Sequence, residues 1–426
     1  MPIAVRFFFA FVLGALLGIA GTTAVVEGAD IRVEREPRAL ASLEVLDAAG
    51  KGWQSGGELP AGVTAPAVLP LGDGALIVGN EAGGDRATAW RDGTLTDLAP
   101  LPIDGRCLTV APLAAEKWAL FSGSAGWSGE HGKAARFDAA TRAWSPLPLD
   151  QDLPVRAVVA LDDARLLVIH DDRAAIWDRA HDTWQSATDA AFQSTTPDCE
   201  DRQLAVALDD QRLLVLRRWP RTDWPQNPFD VRLLSLTERK LTALATMEQQ
   251  LLKIRSGGEE GFLAVARRDD RIELIGLYGE YRLPLTLDRI DAVPLPSGHR
   301  VSAVTRQGED WIAIGADSTA AFRFDERARA WRRLPNLASA RTRPAVVTLA
   351  DGRVLVAGGE VDVAQLHGRP LALGIASIVA LAAIVALVLL ARRRRAVYAV
   401  GALGLVLGTL GLCLAYAIAL GGALRG

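Results

Sequence analysis

The sequence predicts an all-β fold built from repeated four-stranded units, and two recurring hairpin patterns are the evidence for it. In the first pattern an Asp is followed six residues later by a Trp. An Asp side chain caps tight turns and a Trp ring covers a large apolar area, so the pattern predicts a hairpin whose return strand buries the Trp between sheets. Four copies share this spacing: Asp47 with Trp53, Asp138 with Trp144, Asp178 with Trp184, and Asp325 with Trp331.

A second hairpin pattern lies downstream of such Trp residues and consists of two apolar runs around a short polar turn. The clearest copies are RAVVALDDARLLVI at 156–169, RQLAVALDDQRLLVL at 202–216 and RPAVVTLADGRVLVAGG at 343–359. Because the two hairpins alternate along the chain, each unit takes strands a and b from the second pattern and strands c and d from the first.

The repeat length predicts the number of units. The interval from Trp53 to Trp331 fits six units of roughly 46 residues, the size of one four-stranded propeller blade. The last unit has only strands a and b, at 343–359, and the first segment, at 42–53, has only strands c and d. Joined, the two halves form a seventh blade and leave no sheet edge unpaired. The predicted fold is an all-β, seven-bladed propeller over residues 40–362, closed by its N-terminal hairpin.

One segment resembles a kelch repeat. WRRLPNLASARTRPAVVTLADGRVLVAGG at 331–359 carries the pattern W-x-x-L-P-x-L-x-x-x-R and a strand pair that ends in Gly358 and Gly359. The other copies keep only remnants of that glycine pair, such as Gly79 with Asn80. The resemblance implies a kelch-like propeller. Kelch propellers include protein-binding modules, sialic-acid mutarotases and copper radical oxidases, so the resemblance leaves the function open.

Three apolar segments flank the repeats, at 7–26, 371–391 and 396–424. Each is long enough for a membrane span, which takes about 20 residues. The predicted organisation is a signal anchor or signal peptide with the first span at 1–27, a tether at 28–39, the propeller at 40–362, a tether at 363–369, spans at 370–391 and 396–424, and a basic loop at 392–395.

The basic residues predict the orientation of these spans. Arg6 and the loop Arg392–Arg395 are expected in the cytoplasm, because short Arg-rich loops stay there. The propeller is then extracytoplasmic, held at the cell (inner) membrane and facing the periplasm. The prevalence of Arg over Lys and the absence of N-x-S/T sequons fit a bacterial envelope protein. Cleavage after the first segment stays open, because its apolar run exceeds a usual signal peptide while GTTA, ending at Ala24, resembles a cleavage site.

Composition and residue types exclude several classes of chemistry. A net charge of −3 implies no bulk attraction to nucleic acid. A copper radical site needs two Tyr, two His and a cross-linked Cys, and the His residues outside the apolar segments lack ligand-like spacing. We therefore predict no metal and no cofactor. Cys107 and Cys199 form either a disulfide or two small buried side chains, and both alternatives remain open.

A set of arginines is the first candidate ligand site, because its members occupy equivalent places one residue before strand a. Strand a is innermost in a propeller, so these side chains would surround one mouth of the central channel. Guanidinium groups there would hold an acidic ligand or peptide. Alternatively, each pairs with a carboxylate of a neighbouring loop and ties the blades together. The set is Arg106, Arg156, Arg202, Arg300 and Arg343.

The loops between strands b and c are the second candidate, because they lie on the same face and carry aromatic residues. Trp127 lies in the loop 124–134, and Trp219, Trp224 and Phe229 lie in the loop 217–230. Such rings would act as anchors for a partner. Alternatively, they fold back over the blade tops.

Two functions fit this organisation. The favoured one is a membrane-anchored, extracytoplasmic propeller that binds a protein, an acidic ligand or an envelope carbohydrate without catalysis. The alternative is a sugar-acid mutarotase or epimerase that holds a carboxylate in the Arg ring. A His or Glu among the arginines would favour catalysis, and His131, His299 and Glu260 are the candidates.

Overall fold

The structure is a computed structural model of the chain. It describes residues 32–81, 84–105, 108–114, 117–122, 133–149, 155–170, 173–188, 203–218, 229–254, 262–296 and 299–367. The predicted spans and the basic loop, at 1–27, 370–391, 392–395 and 396–424, lie outside this part. Within it, no helix is both long and apolar enough to cross a bilayer.

The chain divides into two units. One is the propeller, Arg38–Val361, and the other combines Met1–Pro37 with Asp362–Gly426. The described residues of the second unit belong to two strands, the first one, Arg32–Leu46, and the last one, Glu360–His367. These two strands pair with each other. Parts of both predicted tethers are therefore strand.

The described residues form 29 strands and one helix. The strands, β1 to β29 in chain order, are Arg32–Leu46, Trp53–Val63, Ala67–Leu71, Gly74–Glu81, Gly84–Arg91, Thr94–Asp97, Thr109–Ala114, Lys117–Phe121, Ala134–Asp138, Ala143–Leu147, Val155–Ala160, Arg165–His170, Ala174–Asp178, Thr183–Thr188, Gln203–Ala207, Arg212–Arg218, Phe229–Ser235, Lys240–Ala243, Phe262–Arg267, Arg271–Gly276, Gly279–Pro284, Asp291–Pro294, Val301–Gln307, Asp310–Gly315, Ala321–Asp325, Ala330–Arg333, Ala345–Thr348, Val354–Ala357 and Glu360–His367. The helix, α1, is Ala245–Ile254.

The strands assemble into seven antiparallel blades. Blades 1 to 6 are β3–β6, β7–β10, β11–β14, β15–β18, β19–β22 and β23–β26, and blade 7 combines β27 and β28 with β1 and β2. From β7 onward the first strand of each blade contacts the first strand of the next blade, and β27 contacts β3 where the two ends of the propeller meet. These first strands therefore line the axis, and the predicted seven-bladed propeller is confirmed.

The ring is closed by main-chain pairing between the two ends of the propeller. Strand β1 pairs with β28 from Leu43 opposite Ala357 to Leu46 opposite Val354. The N-terminal hairpin thus supplies the outer half of blade 7, as the sequence predicted. Blade 7 is also joined to blade 1 through the pair Val63 and Glu81.

The core lies between the blades and is built mainly from their second strands. Leu166 to Ile169 in β12 and Val354 to Ala357 in β28 are fully buried. A second strand is covered on both faces by neighbouring blades, so its apolar residues run continuously instead of alternating with polar ones.

The outer hairpins explain the repeated Asp and Trp. Asp138 accepts hydrogen bonds from the main-chain N–H groups of Ala140 and Thr141, and Asp325 accepts one from Ala328. The four Trp rings pack against the apolar clusters between blades, as predicted, but they are only half-buried. Each indole N–H also donates to a main-chain carbonyl of the preceding blade, and the pairs are Trp53 with Pro335, Trp144 with Ala99, Trp184 with Pro148 and Trp331 with Val293.

A second link between blades lies on the lower face, which we define by the a–b and c–d turns. An Arg of one blade lies over an aromatic ring in the third strand of the next blade. The same Arg forms an ion pair with a carboxylate in the c–d turn of that next blade. The three examples are Arg136 with Trp177 and Asp182, Arg282 with Phe324 and Glu326, and Arg353 with Trp90 and Asp92. These contacts combine charge pairing with cation–π attraction.

A buried ion pair supports the closure of the ring. The Arg341 side chain is fully buried, and its Nη2 donates to Glu44 Oε1 at 2.5 Å. Its Nη1 donates to the carbonyl oxygens of Gly358 and Ser42. The second carboxylate oxygen of Glu44 accepts the N–H of Ala338. This cluster, the closure latch, joins β1 to the segment that precedes β27.

The double glycine lies beside the latch. Gly358 has a φ of +58° and Gly359 a φ of +96°, a region that other residues rarely adopt. A side chain at Gly358 would lie 2.7 Å from the carbonyl oxygen of Val63. Blade 7 therefore needs glycine here, where its strands meet blade 1.

We expect Arg341→Met to lower the free energy of unfolding by about 3 to 5 kcal/mol, because it leaves the Glu44 carboxylate buried without its charged partner. The double variant Arg341→Met with Glu44→Leu should recover most of the loss. Chemical denaturation of the full chain measures both.

Arg343→Met is the matched control, because Arg343 forms a half-exposed pair whose loss should change stability by at most about 1 kcal/mol. Equal losses at positions 341 and 343 would contradict the role of the latch.

We expect Trp331→Phe to lower the free energy of unfolding by about 1 kcal/mol, because the indole hydrogen bond to Val293 is lost. Trp118→Phe is the control, since the buried indole nitrogen of Trp118 has no hydrogen-bond partner in the described part of the chain. Thermal unfolding of the two variants should separate them, and an equal decrease would argue against the link between blades.

Candidate functional site

The candidate site lies on the upper face, which we define by the b–c and d–a connections. Several predicted site residues lie outside the described part of the chain: Arg106, Arg202, Trp127, Trp219 and Trp224. Cys107 and Cys199 also lie outside it. Phe229 is described only in its main chain, as the first residue of β17. The roles of these residues remain predictions.

Arg300 directly precedes β23, as predicted, and contacts a carboxylate of its own blade. Its Nη2 lies 2.8 Å from Asp317 Oδ2, in the connection after β24. Asp317 also accepts a hydrogen bond from the Thr342 hydroxyl, and its N–H donates back to that hydroxyl. Thr342 belongs to blade 7, so this group of residues links blades 6 and 7.

Arg343 lies two residues before β27 and has a φ of +50°. Its Nη2 is 3.3 Å from Glu360 Oε2, and 49% of its side chain is exposed. Arg300 and Arg343 thus each have a carboxylate partner, but each partner follows the second strand of the same blade, so neither ion pair by itself ties two blades together. Their exposed fractions still allow a ligand to reach both guanidinium groups.

Arg156 differs from the other two because it is buried, with 5% of the residue exposed. It is the second residue of β11 and not the residue before it. Val155 pairs with His170 and Ala157 pairs with Ile169, so Arg156 is the extra residue of a β-bulge. Bulges redirect a side chain and are frequent beside binding sites.

Other buried polar groups surround the start of β11. The N–H of Val155 donates to the carbonyl oxygen of Ser122, and His170 lies opposite Val155. Gln203 begins β15, the neighbouring inner strand. Ser122, His170 and Gln203 are each almost fully buried. Together with Arg156 they form what we call the upper polar cluster, at the top of blades 2 to 4.

The upper polar cluster contains polar atoms without a partner. Neither the nitrogen nor the oxygen of the Gln203 amide has a hydrogen bond in the described part of the chain, nor does the Ser122 hydroxyl. A buried polar group left unpaired is destabilising by about 1 to 3 kcal/mol, so native proteins pair nearly all of them. An amide, a hydroxyl and a guanidinium together suit a ligand that offers carboxylate or hydroxyl oxygens.

Sequence reasoning missed Gln203 and Ser122, although both lie beside noted features. Gln203 follows the predicted Arg202, and Ser122 stands where other blades have the first glycine of the pair. Of the predicted acid–base candidates, His299 packs against the Phe322 ring at 5.0 Å between centroids. His131 and Glu260 lie outside the described residues.

Comparison with known proteins assigns the chain to no family. No protein-family profile matches the sequence, and no curated protein is similar to it. Among solved structures, YCF48 bound to D1 peptide is similar, with 11% identity and a TM-score of 0.46, over 69% of this chain and 94% of that one. Virginiamycin B lyase from Staphylococcus aureus is also similar, with 10% identity and a TM-score of 0.46, over 76% of this chain and 99% of that one. Similarity at this level says nothing about ligand or activity.

Proposed function

We propose that the chain is a membrane-anchored, extracytoplasmic propeller of the kelch type that binds a ligand at its upper face without catalysis. The ligand is a protein or an envelope carbohydrate that offers carboxylate or hydroxyl oxygens. The observation that carries the proposal is the buried amide of Gln203, which has no hydrogen-bond partner among the described residues and lies on the inner strand next to that of the buried Arg156.

The upper polar cluster supports binding because its polar atoms are buried and preorganised before any ligand arrives. Arg156 and Gln203 lie on neighbouring inner strands, which are rigid elements of the ring. Arg300 and Arg343 extend the same face towards blades 6 and 7 with half-exposed guanidinium groups. An acidic ligand would therefore meet half-exposed charges at Arg300 and Arg343, and the Arg156 guanidinium with the Gln203 amide and the Ser122 hydroxyl at the cluster.

The apolar segments support the membrane part of the proposal. Each of the three is long enough to span a bilayer, and the Arg392–Arg395 loop between the last two favours the cytoplasm. The kelch assignment is supported by blade 7, where the double glycine adopts left-handed conformations that a side chain would disfavour.

We expect a topology reporter inserted at Arg393 to be active only in the cytoplasm, and one fused after Gly426 to be active only outside it. The expectation follows from one Arg-rich loop between two spans. Activity of both reporters on the same side would remove one span from the proposal.

We expect Gln203→Leu to weaken ligand capture while leaving stability unchanged or raising it by about 1 kcal/mol, because an apolar side chain of similar size removes an unpaired buried amide. The measurements are thermal unfolding of the full chain and retention of solubilised envelope polysaccharide and membrane proteins on the immobilised chain. A ligand-binding amide predicts lower retention without lower stability.

The matched control is Arg165→Ala on the lower face, where Arg165 pairs with Asp162 in a half-exposed turn. It should leave retention unchanged. If Gln203→Leu lowered stability by several kcal/mol and left retention intact, the amide would be part of the fold and the proposed site would be wrong.

A further inference from the structure

The interface between blades 5 and 6 contains buried charged side chains beside its apolar ones. Blades 1 and 2, by comparison, meet through one large cluster of buried apolar residues. Between blades 5 and 6 the apolar residues form two smaller clusters, one that includes Leu295, Val301 and Phe322, and one with Ile275, Trp311 and Phe324 as its buried members. A network of Arg and Glu side chains lies next to the second cluster, and we call it the charged seam.

Two carboxylates of the charged seam are fully buried, and the contrast between them is informative. Glu273 in β20 accepts four donors: Arg268 Nε and Arg271 Nη2 on one oxygen, and Arg306 Nη2 and Trp311 Nε1 on the other. These donors satisfy both oxygens of a carboxylate and hold it between the two blades.

Glu280 in β21 is equally buried but has a single side-chain donor. Arg282 Nε donates to its Oε1 at 2.6 Å, and its Oε2 has no hydrogen-bond partner in the described part of the chain. Its cross-strand neighbours, Ile275 and Val293, are apolar. A negative charge on Glu280 would therefore be only half compensated, whereas a protonated carboxyl group fits the site better.

The surrounding charges reinforce this difference. The four guanidinium groups of the seam already pair with carboxylates other than Glu280. These carboxylates are Asp270 and Glu273 of blade 5 and Glu309 and Glu326 of blade 6. The main-chain N–H of Glu326 also donates a hydrogen bond to the carboxylate of Asp310. Arg282, which is the side-chain donor to Glu280 among the described residues, also donates to Glu326 at 2.6 Å. Ionised Glu280 would share this Arg with a second carboxylate.

We propose that Glu280 is a proton-binding site in the charged seam. The interface between blades 5 and 6 is more stable when Glu280 is protonated and less stable when Glu280 is ionised. The site would make the propeller sensitive to the pH of the compartment that it faces. No ligand on the upper face is required for this response.

The direction of the pH dependence follows from linkage. Burial raises the pKa of Glu280 from 4.5 to about 7, Arg282 opposes this, and the charges of Glu273 and Glu326 add to it. Because the folded chain binds this proton more tightly than the unfolded chain, the stabilisation is complete below pH 4.5 and is lost as the pH rises through about 7. Asp138 and Asp325 have lowered pKa values because of main-chain hydrogen bonds, so they act at lower pH.

The test is denaturant unfolding of the full chain in detergent at about pH 5 and about pH 8, with and without Glu280→Gln. Glutamine mimics the protonated acid. We expect the unfolding equilibrium constant of the parent chain to rise between these pH values by on the order of a hundredfold more than that of the variant. At pH 8 the variant should be the more stable of the two. Glu309→Gln, at an exposed carboxylate of the same seam, should keep the parent pH dependence.

Infrared spectroscopy gives a second readout that a purely structural role would not change. At pH 5 the parent chain should show the carbonyl band of a protonated buried carboxylic acid that Glu280→Gln lacks, and this band should disappear by pH 8. Glu280→Met provides another variant without a titratable group if the glutamine variant does not fold. The proposal would be overturned if the difference in unfolding free energy between the parent chain and the variant were the same at pH 5 and pH 8. It would also be overturned if the parent chain lacked the carboxylic acid band at pH 5.

Discussion

The pairing of β1 with β28 is the constraint on which the rest of the structure depends. A blade has no core of its own, because its apolar faces are covered only by the blades on either side. Opening the ring at blade 7 would leave β28, a fully buried strand, with an unpaired edge. The closure latch acts at this junction, since Arg341 holds both Glu44 in β1 and the carbonyl oxygen of Gly358 after β28.

The blades are joined by different interactions at different depths. Apolar side chains fill the middle, indole hydrogen bonds link the outer strands, and Arg–aromatic–carboxylate contacts join the lower turns. The charged seam extends one of these lower contacts inward, because Arg282 reaches both Glu326 at the rim and Glu280 in the interior. Burying more charge there makes the interface sensitive to protonation, which an apolar interface is not.

The sequence predicted the blade count and ring closure because both depend on local patterns that repeat, such as an Asp capping a turn six residues before a Trp. The residues of the candidate site were harder to predict from the sequence, because a shift of one or two positions along the chain decides whether a side chain is buried or exposed. The kelch pattern contains Arg341, yet the predicted ring used Arg343, two residues later, which is half-exposed. Gln203 gave no local signal. Glu273 did give such a signal, because it lies within the apolar run of a second strand, where a buried carboxylate needs a charged or hydrogen-bonding partner.

The polar features belong to different parts of the ring, and this separation decides how they can be interpreted. The upper polar cluster belongs to blades 2 to 4, the charged seam to blades 5 and 6, and the closure latch to blade 7. The contacts described for these three groups share no residue, so the effects of substitutions in them should be nearly additive. A change at Gln203 therefore reports on the upper face and one at Glu280 on the seam. Strong coupling between them would mean that the ring responds as a whole, and that proton binding at one interface affects the upper face through the inner strands.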